Sequence, residues 1–194
     1  DFGELLAAAN DFPSGEGAGR SEADEGRGAV PALSAAAGKF CVLQGVALMI
    51  DIAILEKLNA PVREMRLENL REVLKATEFP PMVPQYINNH IHTTYSFSPY
   101  SPTAAVFAAR MEGLCTAGII DHDSISGARE FLEAAKLVEM PVTVGMECRA
   151  SMNGTRLEGR RTNNPDQVGV SYMTIQSVPH DRIEELNAFF APYR

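Results

Sequence analysis

The stretch Tyr86-Ile87-Asn88-Asn89-His90-Ile91-His92 decides how the rest of the chain is read. It follows the breakers Pro80, Pro81 and Pro84, which end helical structure, and predicts a strand over 86–92. Side chains on a strand alternate faces with a period of two. His90 and His92 therefore project the same way from the strand end and can share one ion. Imidazole suits Zn, Fe and related metals. Two polar residues on a solvated strand end look the same in sequence, so the pair needs support from its surroundings.

Downstream, strands and helices alternate. Ser101-Pro102 pairs a capping hydroxyl with a proline at the first helical position, and Ala104, Phe107, Ala108 and Met111 repeat at helical spacing. Gly113 and Gly118 bracket the entry to a strand over 116–121. A second helix carries Ala128, Phe131, Leu132 and Ala135 on one face, and a third strand spans 141–147. A polar loop with Asn153, Gly154, Asn163, Asn164 and Pro165 leads to a fourth strand over 168–178. Asp181 and Glu184 have the spacing of a capping box that opens a last helix. This alternation predicts an α/β fold with a parallel sheet or a barrel of βα units.

Each of the first three strands ends on residue types that bind metals. Asp121-His122-Asp123 closes the second strand, and Val144-Gly145-Met146-Glu147-Cys148 closes the third. In βα barrels the carboxyl edge of the strands is where active sites are built. Taken singly, Asp121 or Asp123 could cap a helix and Glu147 could be a surface acid. Their coincidence with His90 and His92 at one edge points to a metal site, with His90, His92, His122 and Glu147 as ligands. His180, in Ser177-Val178-Pro179-His180, follows the same logic, and reads equally well as a polar residue flanking a helix.

At this point the sequence resembles the polymerase and histidinol phosphatase (PHP) domains. His90-Ile91-His92-Thr93-Thr94-Tyr95-Ser96 is similar to that family's first motif, Gly118-Ile119-Ile120-Asp121-His122-Asp123-Ser124 to its second, and Gly145-Met146-Glu147 to its third. The resemblance covers about residues 86–190. It implies a distorted (βα)7 TIM-like barrel holding up to three divalent ions (Zn, Mn or Fe). His90 and His92 would bind the first metal, Glu147 would bridge first and second, His180 would bind the second and His122 the third. It also implies catalytic roles for Glu147 and His122. Phe97 and Ser98 stand where family members often place a third-metal acid or histidine. The family's later motifs, another His and an Asp-x-His, do not occur, and the chain has only four histidines. The expectation is therefore half a barrel, left by truncation or completed by a partner chain.

Three segments are expected: a flexible or disordered 1–32, a helical extension 33–84, and the N-terminal half of a PHP-like domain over 85–194. The stretch 11–28 is rich in Gly, Ser, Glu and Asp and cannot bury enough apolar surface to offset its ordering entropy. One helix is expected between residues 33 and 58. Another is expected over 62–75, with Leu67, Leu70 and Leu74 along one stripe. The apolar run around 40–54 is interrupted by Gln44 and Asp51 and is too short to span a membrane. No secretory signal opens the sequence, and the irregular Cys41, Cys115 and Cys148 point to a reducing compartment, hence the cytoplasm.

The 194 residues are 45% hydrophobic and 22% charged, with a net charge of −8. That balance disfavours wrapping a nucleic-acid backbone and favours a small phosphorylated substrate. The expected function is hydrolysis of a phosphoester through a metal-bound hydroxide. Arg149, followed by Arg156, Arg160 and Arg161, is the candidate substrate-binding residue, because a guanidinium fork matches phosphate. A solvated basic loop is the plainer reading of any one of them. An amidohydrolase-type reaction shares the His-x-His strand end; the resemblance also allows a non-catalytic remnant with a structural metal site, since some PHP-like domains are appended to polymerases and a site missing ligands can persist. Homo-oligomerisation is open.

Overall fold

The computed structural model of the chain describes residues 42–43, 46–47 and 50–193. The segment 1–32 and its expected disorder lie outside the described residues. Two short strands, β1 (Val42–Leu43) and β2 (Val46–Ala47), pair antiparallel. They stand where one long helix was expected, and among the described residues of that region the helix is α1 (Ile52–Leu58). The β-branched Val42 and Val46 favour strands over helix. Asp51 then caps α1, its carboxylate accepting from the Ala53 amide at 2.9 Å. The next helix, α2 (Arg63–Leu74), follows the leucine stripe, with Leu67 and Leu70 buried.

The sheet begins with β3 (Val83–Ile91), followed by α3 (Pro102–Met111), β4 (Leu114–His122), α4 (Ala128–Leu137) and β5 (Val142–Ser151). Ser101 caps α3 as expected, its hydroxyl accepting from the Ala104 amide at 3.1 Å. The strand β6 (Val170–Ile175) completes a four-stranded sheet in the order β3-β4-β5-β6. The pairs β3–β4 and β4–β5 are parallel. Between β5 and β6 there is no helix, and without a crossover a parallel partner cannot form. The Val178 amide donates to the Val144 carbonyl at 2.8 Å and the Cys148 thiol to the Met173 carbonyl at 3.4 Å. The two strands thus run in opposite directions, and the all-parallel expectation fails at β6.

Alternate positions of β4 and β5 serve two faces. Ala117, Ile119, Val144 and Met146 join Phe107 of α3 and Phe131 of α4 in one apolar core, to which Leu58, Leu67 and Leu70 of α1 and α2 also belong. Gly118, Ile120 and Gly145 occupy the intervening positions. A Cβ on Gly145 would lie 2.2 Å from the Ile175 carbonyl oxygen and 2.5 Å from Ile120 Cδ1. The backbone oxygen cannot move away without breaking the hairpin. The substitution Gly145→Ala is expected to cost about 1–3 kcal/mol, toward the upper end, read as a lowered urea midpoint.

At the far end, the expected capping box does not form. A 3-10 turn (His180–Arg182) comes first, and α5 (Ile183–Phe190) starts with no side-chain cap. Arg182 instead pairs with Glu185. The chain divides into two compact units. Phe40–Arg149 and Met173–Arg194 form one, and Ala150–Tyr172 is the described part of the other. In that second unit the turns are held by local polar side chains. Asn164 accepts from the Asp166 and Gln167 amides, and the Asn163 amide side chain bonds both polar backbone groups of Tyr172. No described helix is long and apolar enough to cross a membrane.

Candidate metal centre

The strand ends converge. The regular β4–β5 register sets His122 opposite Glu147. The β3 register slips between Asn88 and Ile91, just where His90 must turn toward β4, and such irregularities re-aim side chains. The His90 and His92 ring centroids stand 5.0 Å apart, and His92 and His122 lie nearly parallel at 4.8 Å. Glu147 Oε2 is 3.6 Å from His90 Nε2 and 3.3 Å from His122 Nε2. One ligand atom each from His90, His92 and Glu147 can be chosen so that all lie within 4.8 Å of one another.

This donor set fits a divalent ion. Donors bound to one tetrahedral ion at ordinary lengths lie about 3.4 Å apart, close to the 3.6 Å between His90 Nε2 and Glu147 Oε2. Two imidazoles and one carboxylate leave a coordination position open, the arrangement of catalytic rather than structural sites. Burial, and then the neighbouring His122 and His90, hold the His92 pKa below the ordinary histidine value. Its neutral form, the one that binds metal, is thereby favoured. Behind the cluster, burial and then the nearby Asp123 and Glu147 carboxylates push the Cys148 thiol up to about 11, so it stays protonated.

The two aspartates around His122 take supporting positions. Asp121 is buried, 1% exposed, and accepts from the Thr93 amide and hydroxyl, both at 2.6 Å, and from the Ser96 hydroxyl at 2.7 Å. It ties the loop after β3 to the end of β4. Asp123 adopts a left-handed backbone (φ 52°) and grips Arg149, whose Nη2 lies 2.8 Å from its carboxylate. The guanidinium expected for substrate is thus held beside the cluster by Asp123. Arg156, Arg160 and Arg161 belong to the second unit. His180 is exposed at the start of its 3-10 turn and is not in the His90–His92–Glu147 group. Sequence reasoning missed the tether through Thr93 and Ser96. It also missed the position of Phe97, whose ring stacks at 4.7 Å on His92 and lies 4.8 Å from His122. The short hydroxyl residues just after His92 were the available signal for the tether.

Comparison with known proteins agrees in part. No family profile matches the chain. Error-prone DNA polymerases of Mycobacterium bovis and Mycobacterium tuberculosis are 32% identical to it over 96 residues, 48% of this chain and 8% of the polymerase. The chain thus spans under a tenth of the length of these curated relatives. A solved structure from Bifidobacterium adolescentis, assigned as a metal-dependent phosphoesterase, is 25% identical and covers 57% of this chain and 34% of its own, with a TM-score of 0.39. The class defined by fold and site is a mixed α/β domain with a His/Glu cluster suited to a divalent metal. The polymerase match lies over about half of this chain.

Proposed function

We propose that the chain carries the metal-binding part of a phosphoesterase acting on a small phosphorylated molecule. The observation that carries the reading is the convergence of His90, His92 and Glu147 within 4.8 Å, with His122 at 3.3 Å from the shared carboxylate. A divalent ion held there (Zn, Mn or Fe) would supply Lewis-acid polarisation of a phosphoryl oxygen and acidify a coordinated water. Around it the chain's residues have separable tasks. Glu147 sets the charge of the site and spans His90 and His122. His122 orients that carboxylate and offers an imidazole for proton movement. Asp123 holds the Arg149 guanidinium at the same edge, where it favours an anionic substrate. The net charge of −8 fits a small anion better than a polynucleotide.

The test compares p-nitrophenyl phosphate with a cyclic amide, each with Mn and Zn and again after chelation. Metal-dependent release of p-nitrophenol is the expected result. Cleavage of the amide alone would transfer the reading to an amidohydrolase-type reaction, and hydrolysis of neither would remove the enzymatic reading. The likeness to error-prone polymerases favours a second reading, a PHP-like module belonging to a larger polymerase. Tightly retained metal without turnover would select it.

A further inference from the structure

Phe97 is 71% exposed, the highest value among the large hydrophobic side chains of the described residues. Scattered surface apolar residues are ordinary, but this one does not lie on a plain surface. Its ring stacks on His92, at 4.7 Å and 29°, and leans on His122, at 4.8 Å and 36°. The loop beneath is pinned. The Ser96 and Ser98 amides both donate to the Thr93 carbonyl, the Thr94 amide donates to Tyr100, and Thr93 and Ser96 are bound to buried Asp121. The ring is therefore held at the His92 and His122 imidazoles at little further entropic cost, while most of its surface stays open to solvent. An aromatic ring held this way prefers a flat π partner in offset or edge contact.

We infer that Phe97 is a substrate-binding platform, and that the favoured substrates are phosphoesters whose leaving group is a planar aromatic or heteroaromatic ring. The inference rests on the phosphoesterase reading and adds the class of leaving group. The Phe97 ring stands against the imidazoles of His92 and His122, so a ring on the leaving oxygen of a phosphoryl group held at the cluster would have its exposed surface as a partner. The platform selects by shape and electronics, because a puckered saturated ring of the same size packs on an aromatic face less favourably than a flat π partner.

Calorimetry on the Mn-loaded full chain tests this with methyl-, cyclohexyl- and phenylphosphonate, none of which is hydrolysed. Phenylphosphonate is expected to bind about twofold to tenfold more tightly than cyclohexylphosphonate. In Phe97→Leu that ratio should collapse to about one, and in Phe97→Tyr it should persist. A ratio taken on one protein preparation is unaffected by a change in metal occupancy. Cyclohexylphosphonate binding as tightly as phenylphosphonate, or a preference that survives in Phe97→Leu, would overturn the platform and leave the phosphoesterase reading standing. If none of the three binds, the phosphoesterase reading falls and the platform with it.

Discussion

Glu147→Gln is expected to weaken Mn or Zn binding by roughly a hundredfold or more, since even residues that only orient a ligand contribute ten- to a hundredfold. The amide keeps the shape and one oxygen but removes the charge from the acidic member of the cluster. His90 and His92 would then hold the ion with no charged ligand to offset its double positive charge. Competition against a chromophoric chelator reads the loss directly. Far-UV circular dichroism should be unchanged, because Glu147 lies on the face away from the apolar core. An unchanged metal affinity would remove His90, His92 and Glu147 as a site.

The same titration apportions His122. Its Nε2 stands 3.3 Å from Glu147 Oε2, while it falls outside the three-residue group. If it acts by orienting Glu147, His122→Asn costs about ten- to a hundredfold in affinity at unchanged stoichiometry. If it ligates an ion of its own, as the family resemblance implies, one equivalent of metal disappears from the titration. The His122 Nε2 already faces the Glu147 carboxylate, so the first outcome is expected.

What could be read from sequence followed from local rules. Strand periodicity placed His90 and His92 on one side, and Ser101-Pro102 placed the start of α3. Period two also separates His122 from Asp121 and Asp123, yet the tripeptide alone does not say which face meets the metal. That depends on the ladder that sets His122 against Glu147. The supporting roles were invisible because their partners are distant: Asp121 meets Thr93 and Ser96 across 28 and 25 positions. The antiparallel β6 was legible in principle, since the loop before it lacks any helical stripe. The missing capping box at Asp181 shows the limit of a spacing rule where the neighbouring residue, here Arg182, finds its own partner in Glu185.

The second large effect lies away from the site. Glu130→Ala is expected to destabilise the protein by about 3–5 kcal/mol, the usual consequence of stranding one partner of a buried ion pair. The Glu130 side chain is 1% exposed and that of Arg66 is 10% exposed. Arg66 donates to it through Nε at 2.8 Å and Nη2 at 2.6 Å, which raises the guanidinium pKa further. Glu130 Oε1 also accepts from the Thr103 hydroxyl at 2.7 Å and the Thr103 amide at 3.1 Å, an otherwise open donor in the first turn of α3. Arg66 spends its remaining nitrogen on the carbonyls of Ala60 and Pro61, between α1 and α2. One carboxylate thus joins α2, α3 and α4, and its loss leaves a buried cation and a bare helix end. Urea denaturation should show the drop as a lower midpoint. Glu130→Gln, which retains an acceptor for Thr103, should lose less. Replacing both partners by apolar residues, Arg66→Met with Glu130→Leu, should recover most of the stability, because the cost lies in the unpaired charge rather than in the absent pair. A double variant as unstable as Glu130→Ala would instead place the cost in the lost contacts to Thr103, Ala60 and Pro61.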